Sequence, residues 1–339
     1  MKAAVFKKLG QPLEVESLPD PVPLANEVVV QVARCGICGS DLHMTEDSAF
    51  GTVPGSVLGH EYSGEIVETG PGVTKFRTGD RVSVMPLRGC GQCAICLAGK
   101  PSWCSAFQLE GGGYAQYSRA AEHQCVKLPR DISLEDAALA EPLSVALHGV
   151  LLSEMKMGAK VLVIGAGPIG LGAAFWARRL GARQVAVTDL YNYQEERAYE
   201  MGATAFLCQS ENTVERVNLA LDGPPEIVFE CVGRPGLVAR SIQHACPHGT
   251  VVVLGLCTAP DTFVPFEAVS KEVRIQTSAF FYAQEFHAAI DALEAGHAAP
   301  RALVTDTVAL SMMPDAFEAL RNRTKECKVL VDPRQVNES

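Results

Sequence analysis

From about residue 153 the chain alternates buried apolar runs with stretches of helical length. "KVLVIGAG" is followed by "PIGLGAAFWARRLGA", "QVAVTD", a stretch ending at "EMGAT", "EIVFECVG", "LVARSIQHAC" and "GTVVVLGL". This alternation limits the fold more than any other feature. Strands separated by helices of about 10 to 15 residues are joined as parallel βαβ units. Gly181, Gly202 and Gly249 fall where those helices should stop. Residues 1 to about 150 read differently. They are rich in Gly and Pro, and short β-branched runs such as "EVVVQVA", "EIVETG" and "DRVSVM" are punctuated by turns such as "GPGV" and "RTGD". That texture predicts an irregular antiparallel β domain. It returns in the tail at "ALVTDTVAL" and "CKVLVD", which are expected to pair back with the first domain. No repeat of solenoid or propeller length is present. The expectation is an α/β chain of two domains, 1–152 with 298–339 and 153–297, which 339 residues accommodate.

Composition narrows the function classes. An apolar fraction of 47% with 20% charged residues predicts a packed protein. A formal charge of −10 disfavours a nucleic-acid partner, whose phosphates need a basic surface. No run of about 18 apolar residues predicts a membrane span, and "MKAAVFKKLG" lacks the apolar core of an export signal. A cytoplasmic location is therefore expected. There, twelve cysteines point to metal binding or catalysis rather than to a disulfide framework. Six of them cluster at 35, 38, 90, 93, 96 and 104, and the scattered six read as small buried hydrophobes.

"VLVIGAGPIGLG" contains Gly165-x-Gly167-x-x-Gly170, with Pro168 and Ile169 between the last two glycines. The pattern follows a predicted strand and opens a predicted helix, and Asp189 closes the next strand. In that context it reads as a dinucleotide fingerprint. Gly165 permits the tight turn, Gly167 lets the backbone approach a pyrophosphate, and Gly170 lets helix and strand pack closely. An acid at 189 accepts hydrogen bonds from ribose hydroxyls and repels a 2′-phosphate, while Leu190, Tyr191 and Asn192 supply no cation. NAD is expected over NADP. The competing reading, glycines that serve packing alone, leaves the placed acid unexplained.

Two metal sites are expected. "CGQCAICLAGKPSWC" sets Cys90, Cys93, Cys96 and Cys104 in one loop, which matches a closed all-thiolate zinc site with no position for water and a structural role. The stretch "RCGICGSDLH" is ambiguous by itself: a redox pair, half a zinc knuckle or part of a reaction centre. Taken with "GHEYSG" and "AEPLSVALHG" it adds His60, Glu61 and Glu141 to a cysteine. A thiolate, an imidazole and a carboxylate from separated segments suit a catalytic zinc, which keeps one position open.

Over residues 1 to about 330 the chain resembles the zinc-containing medium-chain dehydrogenases, most closely their sorbitol (polyol) dehydrogenase branch. The resemblance rests on "GHEYSGEIVETGPGV", "GICGSDLH", "EPLSVALHG", "VIGAGPIG" and "VTDL", in that family's order. It implies a GroES-like β domain made of the N-terminal part and the tail, a Rossmann domain between, and an active site in the cleft. It implies Cys38, rather than Cys35, as the zinc thiolate, with His60 as imidazole ligand. Glu61 and Glu141 are the carboxylates, one direct and the other direct or through water. Ser40 and His43 then carry the released proton outward. "LGL" (Leu254, Gly255, Leu256), "AFF" (Ala279, Phe280) and Cys231 with Val232 resemble segments lining the nicotinamide half of the cofactor. Relatives are commonly dimers or tetramers, so a homo-oligomer is expected. Asp41 reads as a local cap and His148 as a core histidine.

The implied reaction is hydride transfer between a secondary alcohol and NAD, giving the ketone, with one catalytic and one structural zinc per chain. Three departures bear on substrate. Met44 stands where the branch carries Tyr, Phe281 where it carries Arg, and Gln194 where it carries another Arg. The first two remove polyol-binding groups, which predicts a less hydroxylated or partly hydrophobic small-molecule alcohol or ketone. Two alternatives stand beside this reading: a dehydrogenase of a sugar acid or amino alcohol (threonine dehydrogenase-like), and a non-enzymatic relative that binds zinc and dinucleotide.

Overall fold

The structure, a computed structural model, describes residues 1–208, 213–295 and 299–335. The chain divides into two compact units. One comprises Met1–Glu141, Tyr282–His297 and Val304–Ser339, and the other Pro142–Phe281 and Ala298–Leu303. The sequence texture changes at 153, yet the second unit begins at Pro142, inside the helix Ala140–Leu152. The indole N–H of Trp176 donates to the carbonyl of Leu143 at 2.9 Å, so this helix is tied to the second unit from its first turn. The expected junction at 297–298 lies outside the described residues.

The second unit is built on a six-stranded parallel sheet. Its order is Ala205–Cys208, Gln184–Asp189, Lys160–Ile164, Ile227–Glu230, Thr250–Val253, Arg274–Thr277. The central strands are buried on both faces, as their unbroken Val/Ile/Leu runs require. On one face Leu162, Ala186, Val228 and Val251 pack against Val217 and Ile242 of two covering helices and against Leu221, just past the end of the first. Chain order reverses between Lys160–Ile164 and Ile227–Glu230, and such a switch point opens a crevice beyond the strands' carboxyl ends.

The first unit carries a seven-stranded sheet. The path runs Val304–Ala309, Lys328–Asp332, Glu27–Gly36, Glu61–Thr69, Arg81–Val84, Cys125–Lys127, and Tyr117–Ala121 also pairs with Glu27–Gly36. All its pairs are antiparallel except that between the two tail strands, which is parallel. The tail does return to this domain: Leu330 lies opposite Gly36 and Val331 opposite Cys35. On the other side of the same strand Gly36 lies opposite Glu61. Three segments distant in sequence thus meet at one level of the sheet. Val30, Val32, Ile66, Val82, Tyr114, Phe317 and Val331 form the core beneath it. No helix among the described residues is long and apolar enough to cross a membrane.

Candidate metal centres and dinucleotide loop

Cys38 caps the N-terminus of the helix Gly39–Glu46, just past the end of the strand that carries Cys35. The two cysteines therefore part company. Cys35 is fully buried in the apolar cluster, and burial pushes its thiol well above the ordinary range. Cys38 stands half-buried at the helix start, where the Ser40 hydroxyl donates to its sulfur at 3.2 Å. One ligand atom each from Cys38, His60 and Glu61 lies within 4.8 Å of the others. Glu141 stands outside that triad but is buried beside it. Burial, reinforced by the charge of Glu61, pushes its carboxyl up to about 7, against the opposing influence of His60.

His60 is oriented by a residue that the sequence suggested as a helix cap. Asp41 is buried, and its Oδ1 lies 3.1 Å from Nδ1 of His60. Its Oδ2 accepts the Tyr114 hydroxyl at 2.5 Å. The Asp41 bond assigns the proton to Nδ1 and leaves Nε2 as the lone pair available to a metal, the arrangement that outer partners impose on ligating histidines. Burial alone would depress the His60 pKa, but the charges of Asp41 and Cys38 outweigh it and raise it. Lys328, from the tail strand, is also buried and donates to both oxygens of Glu61, at 2.7 and 2.6 Å.

Cys90, Cys93, Cys96 and Cys104 converge as their spacing predicts. The Cys93–Cys104 and Cys90–Cys96 sulfurs are 3.8 and 4.0 Å apart. A tetrahedron of zinc–sulfur bonds of about 2.3 Å has edges of about 3.8 Å, so the donor set fits this metal. Backbone N–H groups of Cys90, Cys93, Cys96 and Ala106 point at the sulfurs from 3.4 to 3.5 Å. Hydrogen bonds from Gln92 and Cys93 hold the Cys90 thiol down to about 6. The scattered cysteines match their expected role in part: Cys125 and Cys327 are buried, whereas Cys257 is exposed.

In the second unit the predicted cofactor residues form a row. Thr188, Ile164, Glu230, Val253 and Thr277 lie level across the sheet. Gly165, Asp189, Cys231 with Val232, and Leu254–Leu256 follow directly at the carboxyl ends, and Ala279 with Phe280 come just after. Gly165 has φ +99°, and a Cβ on Gly170 would stand 1.9 Å from the Gly165 carbonyl oxygen, so the turn admits neither side chain. Gly167 caps the helix Pro168–Arg179, whose N-terminus faces the same end, as a pyrophosphate site requires. Asp189 accepts the N–H of Ala166 at 2.7 Å and that of Leu190 at 2.6 Å, fixing its carboxylate against the glycine turn. Cys231 is half-buried, and desolvation pushes its thiol well above the ordinary range, so it offers position rather than reactivity. Glu230, which the sequence did not single out, accepts the N–H groups of Val232 and Gly233 and shapes that loop.

His43 stacks its ring on Phe50 and is half-buried. His148 is buried, as expected for a core histidine. The side chain of Met44 packs against the first unit's core and Phe281 is fully buried.

Comparison with known proteins places these features in a family. Residues 24–130 match the alcohol dehydrogenase GroES-like domain, and residues 168–295 the zinc-binding dehydrogenase domain. The chain is similar to sorbitol dehydrogenase of Bacillus subtilis (strain 168), at 32% identity over 99% of this chain and 98% of that one. An alcohol dehydrogenase from Escherichia coli CFT073, complexed with NADH, is 29% identical with a TM-score of 0.88, covering 98% of this chain and 99% of that one. A zinc-binding dehydrogenase from Sinorhizobium meliloti 1021, bound to NADP, is 32% identical with a TM-score of 0.89 over the same shares. The chain belongs to the zinc-containing medium-chain dehydrogenases, near their sorbitol (polyol) dehydrogenase branch, and is an alcohol or polyol dehydrogenase that uses zinc and a nicotinamide dinucleotide.

Proposed function

We propose that the protein oxidises a secondary alcohol to the ketone with NAD, at a zinc held by Cys38 and His60 with a carboxylate from Glu61 or Glu141. The observation that carries this reading is the mixed sulfur, nitrogen and oxygen triad with His60 oriented by Asp41. Three protein ligands leave a tetrahedral position for substrate, unlike the closed four-thiolate loop, to which we assign the structural zinc. When bound, zinc supplies Lewis acidity that acidifies a hydroxyl, and the dinucleotide supplies the hydride acceptor.

The chain's own residues do the rest. Ser40, two residues from the metal cysteine, receives the alcohol's proton, and His43 passes it to solvent, a task suited to an imidazole, which both accepts and donates a proton. The Asp189 oxygens, fixed by two backbone N–H groups, retain lone pairs for the adenosine ribose hydroxyls, and no cation at 190–192 welcomes a 2′-phosphate. NAD is favoured on that ground. Neither Met44 nor Phe281 brings a polyol-binding group, which favours a partly hydrophobic secondary alcohol. Reduced cysteines at both metal sites suit a cytoplasmic location. A homo-oligomer is supported by the edge strand Arg274–Thr277, whose outer backbone groups pair with no strand among the described residues and whose Ile275 is exposed.

The test is NADH formation across an alcohol panel, with and without a zinc chelator. Chelator-sensitive oxidation of secondary alcohols with NAD over NADP supports the proposal. Oxidation that is indifferent to chelator, or that prefers NADP, overturns the corresponding part.

A further inference from the structure

Lys328 is the unexpected member of the metal site. It comes from the tail strand Lys328–Asp332, 267 residues from Glu61 in sequence, and it is 2% exposed while Glu61 is 0% exposed. An ammonium group has three N–H donors. All three are spent here: two on the Glu61 oxygens, at 2.7 and 2.6 Å, and one on the carbonyl of Ile37 at 3.0 Å. Glu61 is also held from behind. A Cβ on Gly36, directly opposite in the sheet, would stand 2.0 Å from its Oε2, so only glycine lets the carboxylate lie where Lys328 reaches it. The carboxylate that belongs to the ligand triad is thus the one gripped at both oxygens by a buried cation.

We propose that Lys328 is a positioning residue that competes with the metal for Glu61 and so keeps this carboxylate a labile ligand. This rests on the metal-site reading above. Each Glu61 oxygen shares its electron density with an N–H of Lys328, which weakens it as a donor to a cation on its other side. Electrostatics act in the same direction, because a buried positive charge beside the site opposes a second one. Glu61 can therefore leave the metal without becoming an unpaired buried charge, since Lys328 still satisfies it. That freedom keeps a position open for substrate while Glu141, buried close by, stands ready as a carboxylate. Without the ammonium group, the Glu61 charge loses the two bonds that hold it away from the metal, and the site should close.

The experiment uses the zinc-loaded protein and follows metal release to a chelator with a colorimetric zinc indicator. Visible spectra of the cobalt-substituted protein are taken in parallel. Cys38→Ser first identifies the release phase that belongs to this site. Lys328→Met should slow that phase by about tenfold, the scale of one charge-assisted hydrogen bond, and should change the cobalt bands as Glu61 binds more tightly. Lys328→Arg, which keeps the charge, should release metal like the native protein. Glu61→Gln placed on Lys328→Met should restore rapid release, an outcome that a merely structural Lys328 would not produce. Should Lys328→Met fail to fold, the lysine would be shown to be structural and the proposal would fall. A folded Lys328→Met that releases metal at the native rate or faster, with native cobalt bands, overturns the inference alone. Loss of the Cys38→Ser assignment, with the release phase persisting in that variant, overturns the metal-site reading and this inference with it.

Discussion

Nδ1 of His60 lies 3.1 Å from Oδ1 of Asp41, and both residues are buried. The pair fixes which ring nitrogen bears the proton, and Tyr114 in turn fixes Asp41. A ligand held this way needs no reorganisation when metal arrives.

Asp41→Asn keeps the shape but removes the charge and leaves one acceptor oxygen for two donors, His60 Nδ1–H and the Tyr114 hydroxyl. Outer partners of this kind are typically worth about 10- to 100-fold in metal affinity. We expect zinc affinity at the Cys38 site to fall within that range while the far-ultraviolet circular dichroism stays native. Competition with a zinc-binding dye measures it, and unchanged affinity would show that Asp41 does not orient the imidazole.

Gly170→Ala tests the dinucleotide loop. The added Cβ would meet the Gly165 carbonyl oxygen at 1.9 Å and Val163 Cγ1 at 3.1 Å, and the first of these is backbone that cannot swing aside. The turn must open, so NADH affinity should fall by at least about tenfold, or about 1.4 kcal/mol, in a fluorescence titration. A native dissociation constant would exclude this turn from cofactor binding.

The other nearby features differ in how plainly the sequence announced them. Parallel strands buried on both faces must be continuous apolar runs, so "VLVIG", "IVFE" and "TVVV" could be read as strands with little ambiguity. The four-cysteine loop was equally legible, because all its ligands lie within one short segment. Asp41 was not. A serine or aspartate at a helix start ordinarily caps it, and nothing in "GSDLH" says that the carboxylate instead reaches a histidine brought in from residue 60. Lys328 was less visible still. In "ECKVLVD" it looks like the polar member of a half-exposed strand, and only the pairing of the tail with Glu27–Gly36 turns it inward onto Glu61. Met44 and Phe281 illustrate the reverse: both could be named as departures, but their packing against or within a core was a matter of tertiary structure.

His244 predicts an acid-sensitive term in stability that is unconnected with catalysis. It is buried with Nδ1 unpaired, and burial, aided by the charges of Arg240 and Lys271, brings its pKa down to about 4. In the unfolded chain the imidazole protonates near its ordinary pKa of about 6.5. Between those values the unfolded state binds the extra proton, so stability falls as pH drops from about 6.5 to about 4 and levels below. The loss should be on the order of 3 kcal/mol, at about 1.4 kcal/mol per pKa unit. Guanidinium midpoints at pH 7 and pH 4.5 should draw closer together in His244→Leu than in the native protein. An equal spacing in both would contradict the assignment.

Cys93→Ser removes one ligand of the four-thiolate loop. Zinc content should drop by one equivalent per chain and the thermal midpoint should fall, since metal binding at a closed site contributes directly to folding. Atomic absorption and calorimetry on the same sample check both parts, and an unchanged zinc content would refute a metal at this loop.

The most direct test compares Cys38→Ser with Cys35→Ser, measuring NADH formation and zinc content in each purified variant. Cys38→Ser should lose one zinc equivalent and fall to background activity, whereas Cys35→Ser, buried three residues away in the apolar cluster, should keep most of both. Variants that behave alike, both active or both dead, would contradict the assignment of Cys38 as the single thiolate of the catalytic zinc.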